Sequence, residues 1–564
     1  MIKKLAGENV KIILVAINAK YIHSALAVRS LYAYLSPQEK EYVHIKEFTV
    51  NQSEDLIISE LFSLKPDVLA FSCYIWNIEM VISLAQTFKK ILPDTKIVVG
   101  GPEVSYECEA PLANSIDFII AGEGEQAFKA LIQAFIDEST IAHPKQVVTE
   151  SHHLPLDEIP FPYESEFHDF KHRIIYYESS RGCPFGCSFC LSSATQGVRF
   201  LSLDRVKADL TQFLSAEIDG EKIRQVKFVD RTFNGDKKHA MDIWKYLIKN
   251  DNGITNFHFE ISGALLDDEM IDLIGQARKG LFQFEMGVQS TNLTTLEAIN
   301  RNMDRLKQQK LFENIRKLKA LGTVHLHLDL IVGLPYEDYF SFIQSFNDVM
   351  ACYPHQLQVG FLKLLKGSDL QKNSKKYGVQ YKTRAPYEIL TNNFIDFEAV
   401  NKLKKIEHMV ELFYNTGGYQ SFIRFMLQKF KSPFDFFDAL AMFWETNAYH
   451  RAAHKKGVLY TILYEFGIKK SPSDTRAICE LLKFDMLLQD NIRTFPNWVD
   501  SYYSYDSKQV TRTTAIHSFC YDVYSWLNTT SFAFGDNRID SLQQKDIKLY
   551  FDYSKQGDER CHVL

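Results

Sequence analysis

The sequence predicts an α/β protein of three consecutive parts: a doubly wound parallel sheet, a partial barrel of six βα units and a mainly α-helical C-terminal region. Two stretches in which short apolar runs alternate with amphipathic segments predict the first two parts, because buried parallel strands need crossover helices between them. A change to helix-like, aromatic-rich sequence predicts the third. We place the parts at 1–140, 171–368 and 369–564, with a proline-punctuated linker at 141–170.

The first part has the pattern of a Rossmann-like domain. Its apolar runs are strand length and are separated by segments with helical spacing. In such a sheet, ligands bind at the carboxyl ends of the strands, and the loops after Ile17, Phe71, Val99 and Ile120 would open onto that edge. We predict strands at 11–17, 43–50, 68–73, 96–99 and 118–120, and helices at 24–35, 53–63 and 78–91.

The second part repeats the alternation six times, which predicts an open barrel rather than a closed one of eight units. Residues with chemical roles should therefore lie where its strands end. We predict strands at 173–178, 225–229, 256–261, 281–288, 324–332 and 356–364, and helices at 204–217, 238–249, 267–278, 295–299, 304–321 and 339–351.

Charge and hydropathy exclude several classes of protein. The 564 residues include 64 Lys and Arg against 70 Asp and Glu, a net charge of −6, which disfavours a long nucleic-acid substrate. No apolar run approaches the roughly 20 residues of a membrane-spanning helix. The N-terminal stretch lacks the pattern of a secretory signal, because charged residues such as Glu8 and Lys11 interrupt it. We therefore expect a cytoplasmic protein without membrane partners.

Three of the nine cysteines form the strongest motif in the sequence. Cys183, Cys187 and Cys190 have C-x3-C-x2-C spacing and directly follow the first predicted barrel strand. Three thiolates on one loop can ligate three irons of a [4Fe-4S] cluster and leave the fourth iron open to another ligand. The alternative is a structural zinc site, which requires a fourth Cys or His and usually has C-x2-C pairs.

These residues resemble the radical S-adenosylmethionine (SAM) superfamily, whose members bind SAM at the open iron of such a cluster inside a partial (β/α)6 barrel. Segments later in the barrel resemble the family as well: Phe228–Phe233, the E-x-G-x-Q-S segment at 285–290 and the G-L-P turn at 333–335. The resemblance implies that SAM is oriented by Asp230, Glu285 and Gln289, with Glu260 as a further candidate. The other interpretation is that the first three are buried polar residues satisfying strand ends.

The first part resembles the cobalamin-binding domain of cobalamin-dependent radical SAM enzymes. Glycine at a strand end lets backbone approach a flat ligand closely, which points to Gly100, Gly101 and Gly122, with Glu123 beside them. Ser72 and Trp76 follow the third strand, where the family packs side chains beneath the corrin; Trp76 could equally be a buried anchor. The loop at 18–25 lacks the Asp and Gly of the cobalt-ligating D-x-H-x-x-G motif, so we interpret His23 as a loop histidine.

The resemblance implies a cobalamin-dependent radical SAM enzyme that cleaves SAM reductively and methylates an unactivated carbon. An alternative is a cyclase or rearrangement enzyme with the same cofactors, which the sequence does not separate from a methyltransferase. A non-enzymatic alternative is a cobalamin or cluster sensor, but that would predict a missing cysteine or missing SAM contacts. An electron donor such as flavodoxin or ferredoxin would be a partner. The substrate is not readable from the sequence.

Overall fold

Two parallel sheets follow one another along the chain in the computed structural model, as the sequence predicts, and each has six strands where five were predicted for the first. A C-terminal region made mainly of helices comes after them. The structure describes residues 10–107, 115–137, 146–149, 153–163, 167–193, 197–492, 494–500, 513–528, 542–555 and 560–563.

The first sheet has the strand order β2-β1-β3-β4-β5-β6, so the chain reverses direction across the sheet at β1. All seven residues of β1 are buried, because helices cover both faces of the sheet. Strand β6 lies in the segment that the sequence predicts as a linker, and its parallel pairing with β5 extends the sheet to Thr149. The elements are β1 (Ile12–Asn18), α1 (Leu26–Ala33), α2 (Pro37–Lys40), β2 (Val43–Thr49), α3 (Glu54–Ser63), β3 (Val68–Ser72), α4 (Ile78–Ile91), β4 (Lys96–Gly100), β5 (Phe118–Ala121), α5 (Glu125–Ile136) and β6 (Gln146–Thr149).

The second sheet is an open barrel whose six strands pair in sequence order, from β7 through β12 to β16. Two small hairpins, β8 with β9 and β10 with β11, interrupt the alternation of strands and helices. The elements are β7 (Ile175–Tyr177), β8 (Ser180–Gly182), β9 (Val198–Phe200), α6 (Leu203–Ser215), β10 (Glu217–Ile218), β11 (Glu221–Lys222), β12 (Gln225–Phe228), α7 (Lys237–Lys249), β13 (Asn256–Glu260), α8 (Asp268–Gly275), β14 (Phe282–Gln289), α9 (Leu293–Ala298), α10 (Arg305–Leu321), β15 (His325–Val332), α11 (Tyr339–Met350) and β16 (Gln356–Phe361).

Register decides which side chains face the lumen of the barrel. Residues paired on neighbouring parallel strands point to the same side of the sheet, and alternate residues point to opposite sides. Outward-facing Phe228, Phe259 and Phe284 are fully buried beneath the surrounding helices. The lumen instead receives a polar row of Tyr176, Lys227 and His258, and nearer the carboxyl ends a row of Glu260, Glu285 and His327.

The C-terminal region is mainly helical, but it also contains antiparallel strands that the sequence analysis missed. The hairpin β17–β18 follows the barrel, and a three-stranded sheet of order β19-β20-β21 comes near the end of the described chain. Among the described residues, no helix is both long and apolar enough to cross a membrane. The elements are α12 (Asp369–Lys372), β17 (Gln380–Tyr381), β18 (Ile389–Thr391), α13 (Phe397–Met409), a π-helical turn (Val410–Tyr414), α14 (Gln420–Leu427), α15 (Pro433–Thr446), α16 (Lys456–Lys470), α17 (Thr475–Gln489), α18 (Asn497–Asp500), β19 (Thr514–Tyr521), α19 (Val523–Asn528), β20 (Gln544–Asp552) and β21 (Cys561–Val563).

Candidate active site at the mouth of the barrel

The three clustered cysteines lie together on the loop between β8 and β9, at the carboxyl end of the first barrel strand. None of the three forms a disulfide, and all three are only partly buried. Burial raises the pKa of Cys187, nearby Arg301 lowers it, and the neighbouring Cys190 and Cys183 raise it again. Three accessible thiols on one loop, with no bond among themselves, fit the donor set of a [4Fe-4S] cluster with an open iron.

Gly182, Gly197 and two side chains from the turn after α9 hold this loop. Gly182 has φ 108°, and a Cβ there would lie 2.2 Å from the carbonyl oxygen of Gly197, so no larger residue fits. The amide of Asn300 donates to the carbonyl of Gly186 over 2.6 Å. Arg301 contacts both the Cys187 thiol and the carbonyl of Gly287. The loop is therefore tied to the strand that carries the E-x-G-x-Q-S segment.

Asp230 lies beneath the start of this loop rather than in the open lumen. Its carboxylate accepts hydrogen bonds from the Ser179 hydroxyl at 2.6 Å, the Ser179 amide at 3.0 Å and the Ser180 hydroxyl at 2.6 Å. It is only 1% exposed, and burial raises its pKa to about 6. This geometry favours a structural role, holding the residues that lead to Cys183, over the predicted SAM contact.

Glu285 and Glu260 lie in the lumen within reach of one lysine. Lys227 Nζ is 3.0 Å from the Glu285 carboxylate and 4.0 Å from that of Glu260. Burial opposes ionisation of Glu285, but hydrogen bonding by His258 and the charge of Lys227 hold its pKa well below its usual range. Glu260 has weaker partners, including Arg231 at 3.9 Å, and burial raises its pKa to about 7. The two predicted carboxylates therefore meet at one site in different electrostatic environments.

His327 and Asp329 extend this network. The sequence placed Asp329 at the start of the segment with the G-L-P turn but assigned a role to neither residue. His327 lies 3.8 Å from Glu285 and 3.1 Å from Asp329; burial opposes protonation, yet these carboxylates raise the pKa of His327. Single ligand atoms of Glu285, His327 and Asp329 lie within 4.8 Å of one another, as in a metal site. The ammonium of Lys227 already supplies a positive charge to Glu285, so we interpret the network as a polar lining of the lumen. The alternation of polar residues along β15 was the sequence signal that could have identified His327 and Asp329.

Gln289 lies at the end of the same strand in a strained conformation. Its φ is 69°, and its side chain lies across Gly287, where a Cβ would be 2.0 Å from its amide nitrogen. The next residue, Ser290, donates to the buried carboxylate of Glu337 over 2.6 Å. Glu337 follows the G-L-P turn, so this hydrogen bond joins the two family-like segments at the barrel mouth. Sequence reasoning named the turn but not Glu337.

The predicted cobalamin-binding residues gather at the carboxyl edge of the first sheet. A Cβ on Gly101 would lie 2.6 Å from the carbonyl oxygen of Cys73, whereas one on Gly122 would meet nothing within 4 Å. Gly101 is therefore required by packing, and Gly122 faces open space. Gly100 pairs with Ser72 across β4 and β3 at this edge.

Trp76 lies on the loop after β3 with 46% of its side chain exposed. Its indole Nε1–H donates to the carbonyl of Ile17 over 3.1 Å, and its ring stacks on Tyr74 with centroids 4.4 Å apart. The exposed, anchored ring fits a flat ligand at this edge and is not the buried anchor of the alternative interpretation. An open glycine edge beside a fixed aromatic plane fits a corrin.

Glu123 points toward the barrel instead of the open edge. Arg181, two residues before Cys183, lies 2.9 Å from Glu123 and 2.9 Å from Glu125, and Arg199 also pairs with Glu123. These ion pairs give Glu123 partners other than the predicted cobalamin contact. Arg181 was not singled out from the sequence, because an ion pair between distant segments leaves no local pattern.

His23 also turns toward the barrel. Its Nδ1 lies 2.7 Å from the hydroxyl of Tyr176, and its backbone pairs with Ile174 just before β7. Burial lowers its pKa, and Lys20 and Lys227 lower it further. His23 therefore joins the two sheets as a loop histidine.

Comparison with known families assigns a domain to each part of the chain. Residues 12–132 match the B12 binding domain, and residues 177–349 match the radical SAM superfamily. Residues 375–514 match a protein family of unknown function, DUF4080. The first two matches imply cobalamin, SAM and a [4Fe-4S] cluster as cofactors.

Curated relatives are similar to part of the chain. The 2-(S-pantetheinyl)-carbapenam-3-carboxylate methyltransferase of Streptantibioticus cattleyicolor is 28% identical over 331 residues, which are 52% of this chain and 46% of that protein. The cobalamin-dependent radical SAM methyltransferase TokK of Streptomyces tokunonensis is 26% identical over 56% of this chain and 50% of its own. The chain thus spans about half the length of these relatives.

One solved structure shares the fold over a larger portion of this chain than the curated relatives match in sequence. The cobalamin-dependent SAM radical enzyme OxsB, bound to aqua-cobalamin and SAM, has a TM-score of 0.58 and 15% sequence identity, covering 88% of this chain and 83% of its own. At this identity the likeness concerns the fold alone. The domain matches show that the chain carries a B12-binding domain followed by a radical SAM domain, in the order of its two parallel sheets.

Proposed function

We propose that this protein is a cobalamin-dependent radical SAM methyltransferase that acts on an unactivated carbon. The observation that carries the proposal is the placement of three cysteines without disulfides at the barrel mouth, on a loop that Arg181 joins to Glu123 and Glu125 of the B12-binding domain. Similarity to methyltransferases over half of the chain supports the reaction type.

The proposed cluster and SAM sites both lie in the barrel. Cys183, Cys187 and Cys190 would hold the cluster, while Glu285, Gln289 and Glu260 would orient SAM in the lumen. When bound, the two cofactors supply reductive SAM cleavage and methyl transfer. The polar side chains of the lumen would position the substrate beside SAM.

The reaction needs electrons from outside the chain. The overall stoichiometry consumes two SAM molecules and two electrons and yields methylated product, S-adenosylhomocysteine, methionine and 5′-deoxyadenosine. A low-potential donor of the flavodoxin or ferredoxin type would supply them. We place Gly100, Gly101, Gly122, Ser72 and Trp76 around cobalamin.

The test begins with anaerobic protein reconstituted with iron, sulfide and cobalamin and passed through gel filtration. The retained fraction should carry corrin bands beside cluster absorbance. Incubation with trideuteromethyl-SAM, reductant and extract of the source cells should then give labelled products. Loss of cobalamin on the column would overturn the proposal. An unlabelled ring-closed or rearranged product, with both cofactors retained, would replace methylation by the alternative reaction class.

A further inference from the structure

We propose that the segment joining the barrel to the C-terminal domain is a positioning element for the B12-binding domain, with Tyr387 and Lys366 as its key residues. By holding Glu103, they would fix the carboxyl edge of the first sheet relative to the cysteine loop. This inference rests on the proposed function, because it concerns the spacing of that function's two cofactors. Tyr387 lies near the start of the region that matches the family of unknown function.

Glu103 is the point of attachment on the first sheet. It follows Gly101 by two residues, in the loop after β4, and is only 5% exposed. The Tyr387 hydroxyl donates a hydrogen bond to its carboxylate, and Lys366 Nζ lies 3.0 Å from the same oxygen. Lys366 also lies 5.3 Å above the Tyr387 ring. A buried carboxylate with a hydroxyl and an ammonium as partners is held more firmly than an exposed pair.

The contact continues along the same loop. Gly367 has φ 83°, and a Cβ there would lie 2.4 Å from the ring of Tyr106. Gln371 donates to the carboxylate of Glu107 over 3.1 Å. Three positions after β16, at 366, 367 and 371, therefore contact the loop at 103–107 in order, and the glycine permits the closest approach.

The barrel anchors Tyr387 from the other side. The amide of Leu364 donates to the Tyr387 carbonyl at 3.1 Å, and that of Ile389 donates to the Leu362 carbonyl at 2.9 Å. The chain leaving β16 is thus paired with the chain entering β18. Tyr387 has φ 52°, a conformation that bulky residues rarely adopt and that persists only where surrounding contacts enforce it.

The same segment also touches the cysteine loop. The Leu370 amide donates to the carbonyl of Ser188, between Cys187 and Cys190, at 2.8 Å. Phe189 of the cysteine loop and Ile75 of the loop after β3 pack against one apolar cluster that includes Tyr387. One short segment therefore contacts both the edge proposed for cobalamin and the loop proposed for the cluster.

This arrangement separates two reactions that share SAM. Reductive cleavage of SAM needs only the barrel, whereas transfer of its methyl group to cobalamin requires the two domains at a fixed distance. A misplacement of about 1 Å can cost a hundredfold in rate. Loosening the Glu103 contact should therefore slow the second reaction and spare the first.

The experiment compares Tyr387→Phe with Tyr377→Phe. Tyr377 is a buried tyrosine of the same apolar cluster, but among the residues that the structure describes its hydroxyl has no hydrogen-bond partner. With titanium(III) citrate and added cobalamin, S-adenosylhomocysteine reports methyl transfer; with dithionite and no cobalamin, 5′-deoxyadenosine reports cleavage. Tyr387→Phe should lower the rate of S-adenosylhomocysteine formation by about tenfold or more. It should change the rate of 5′-deoxyadenosine formation less than about twofold. Tyr377→Phe should change both less than about twofold.

A second measurement uses the protein without cofactors. Hydrogen–deuterium exchange of the peptide covering 101–107 should rise in Tyr387→Phe and in Lys366→Met, but not in Tyr377→Phe. The positioning role would be overturned if Tyr387→Phe lowered the formation of both products equally. It would also be overturned if the exchange rate and product formation of Tyr387→Phe matched those of the Tyr377→Phe control. If the wild type forms neither product, the proposed function fails, while the exchange data still decide whether Tyr387 holds the loop.

Discussion

The carboxyl edge of the first sheet and the mouth of the barrel both lie at the ends of parallel strands, yet they offer different chemistry. The edge presents backbone at Gly101 and Gly122 and one anchored ring, Trp76. The mouth presents three thiols and a network of charged side chains around Glu285. The comparison teaches that a large flat cofactor needs shape and backbone access, whereas a cluster and SAM need specific donor atoms.

The largest effect on activity is expected from replacing a cysteine at the mouth of the barrel. Replacing Cys183 by Ser removes one of the three proposed thiolate ligands, so bound iron should be lost and SAM cleavage should fall by about 10³-fold or more. Iron analysis and 5′-deoxyadenosine formation measure this. Cys352→Ser is the matched control, because that buried thiol lies after α11, away from the loop. Iron content equal to that of the wild type in Cys183→Ser would remove the cluster from this site.

A smaller effect should distinguish two glycines at the edge. Gly101→Ala forces a Cβ to within 2.6 Å of a backbone oxygen and should lower the free energy of unfolding by about 3 kcal/mol. Gly122→Ala has open space and should cost roughly 1 kcal/mol through backbone strain alone. Denaturant titrations of both variants check this order. Cobalamin retention should fall more in Gly101→Ala; the reverse order would show that the edge is not packed as described.

The difference between the two regions also explains what sequence could predict. The six barrel strands and the cysteine loop were found because apolar runs and C-x3-C-x2-C spacing are local patterns. Strand β20 was missed, although Ile547, Leu549 and Phe551 alternate with polar residues and all three are buried. This alternation of apolar and polar residues is the sequence signal of a strand, but the preceding segments are helix-like and favoured a helical prediction for the whole region.

Other site features have no local signal. An aspartate after a strand has the same sequence pattern whether it faces SAM or, as Asp230 does, two serines beneath the loop. The pairing of Arg181 with Glu123 joins residues 58 positions apart, and that of Tyr387 with Glu103 spans 284. Such contacts depend on how the domains pack, so they required the structure.

Asp230 provides a further way to sharpen the comparison, since it is a side chain at the mouth that behaves as structural support. Asp230→Asn places an amide N–H opposite a hydroxyl or amide donor and should lower the free energy of unfolding by about 2 kcal/mol. SAM affinity of the reconstituted protein, measured by equilibrium dialysis, should change less than about twofold. A loss of SAM binding without a loss of stability would restore the predicted SAM contact.

The smallest expected effect concerns Glu337, which joins Ser290 and Ser345 behind the barrel mouth through hydrogen bonds of 2.6 and 2.9 Å. Burial raises its pKa to about 7 from the model-compound value of 4.5. Between these values the folded protein retains a proton that the unfolded chain has lost. The free energy of unfolding should therefore fall as pH rises from 5 to 7, by on the order of 1–2 kcal/mol from this residue.

Glu337→Gln removes this titration while keeping the shape of the side chain. Its unfolding free energy, measured by urea titration at several pH values, should fall less steeply between pH 5 and 7 than that of the wild type. Glu313→Gln, at an exposed position on α10, should keep the wild-type slope. If Glu337→Gln also keeps it, the carboxyl is ionised throughout this range, and the barrel mouth would then carry a buried negative charge at Glu337.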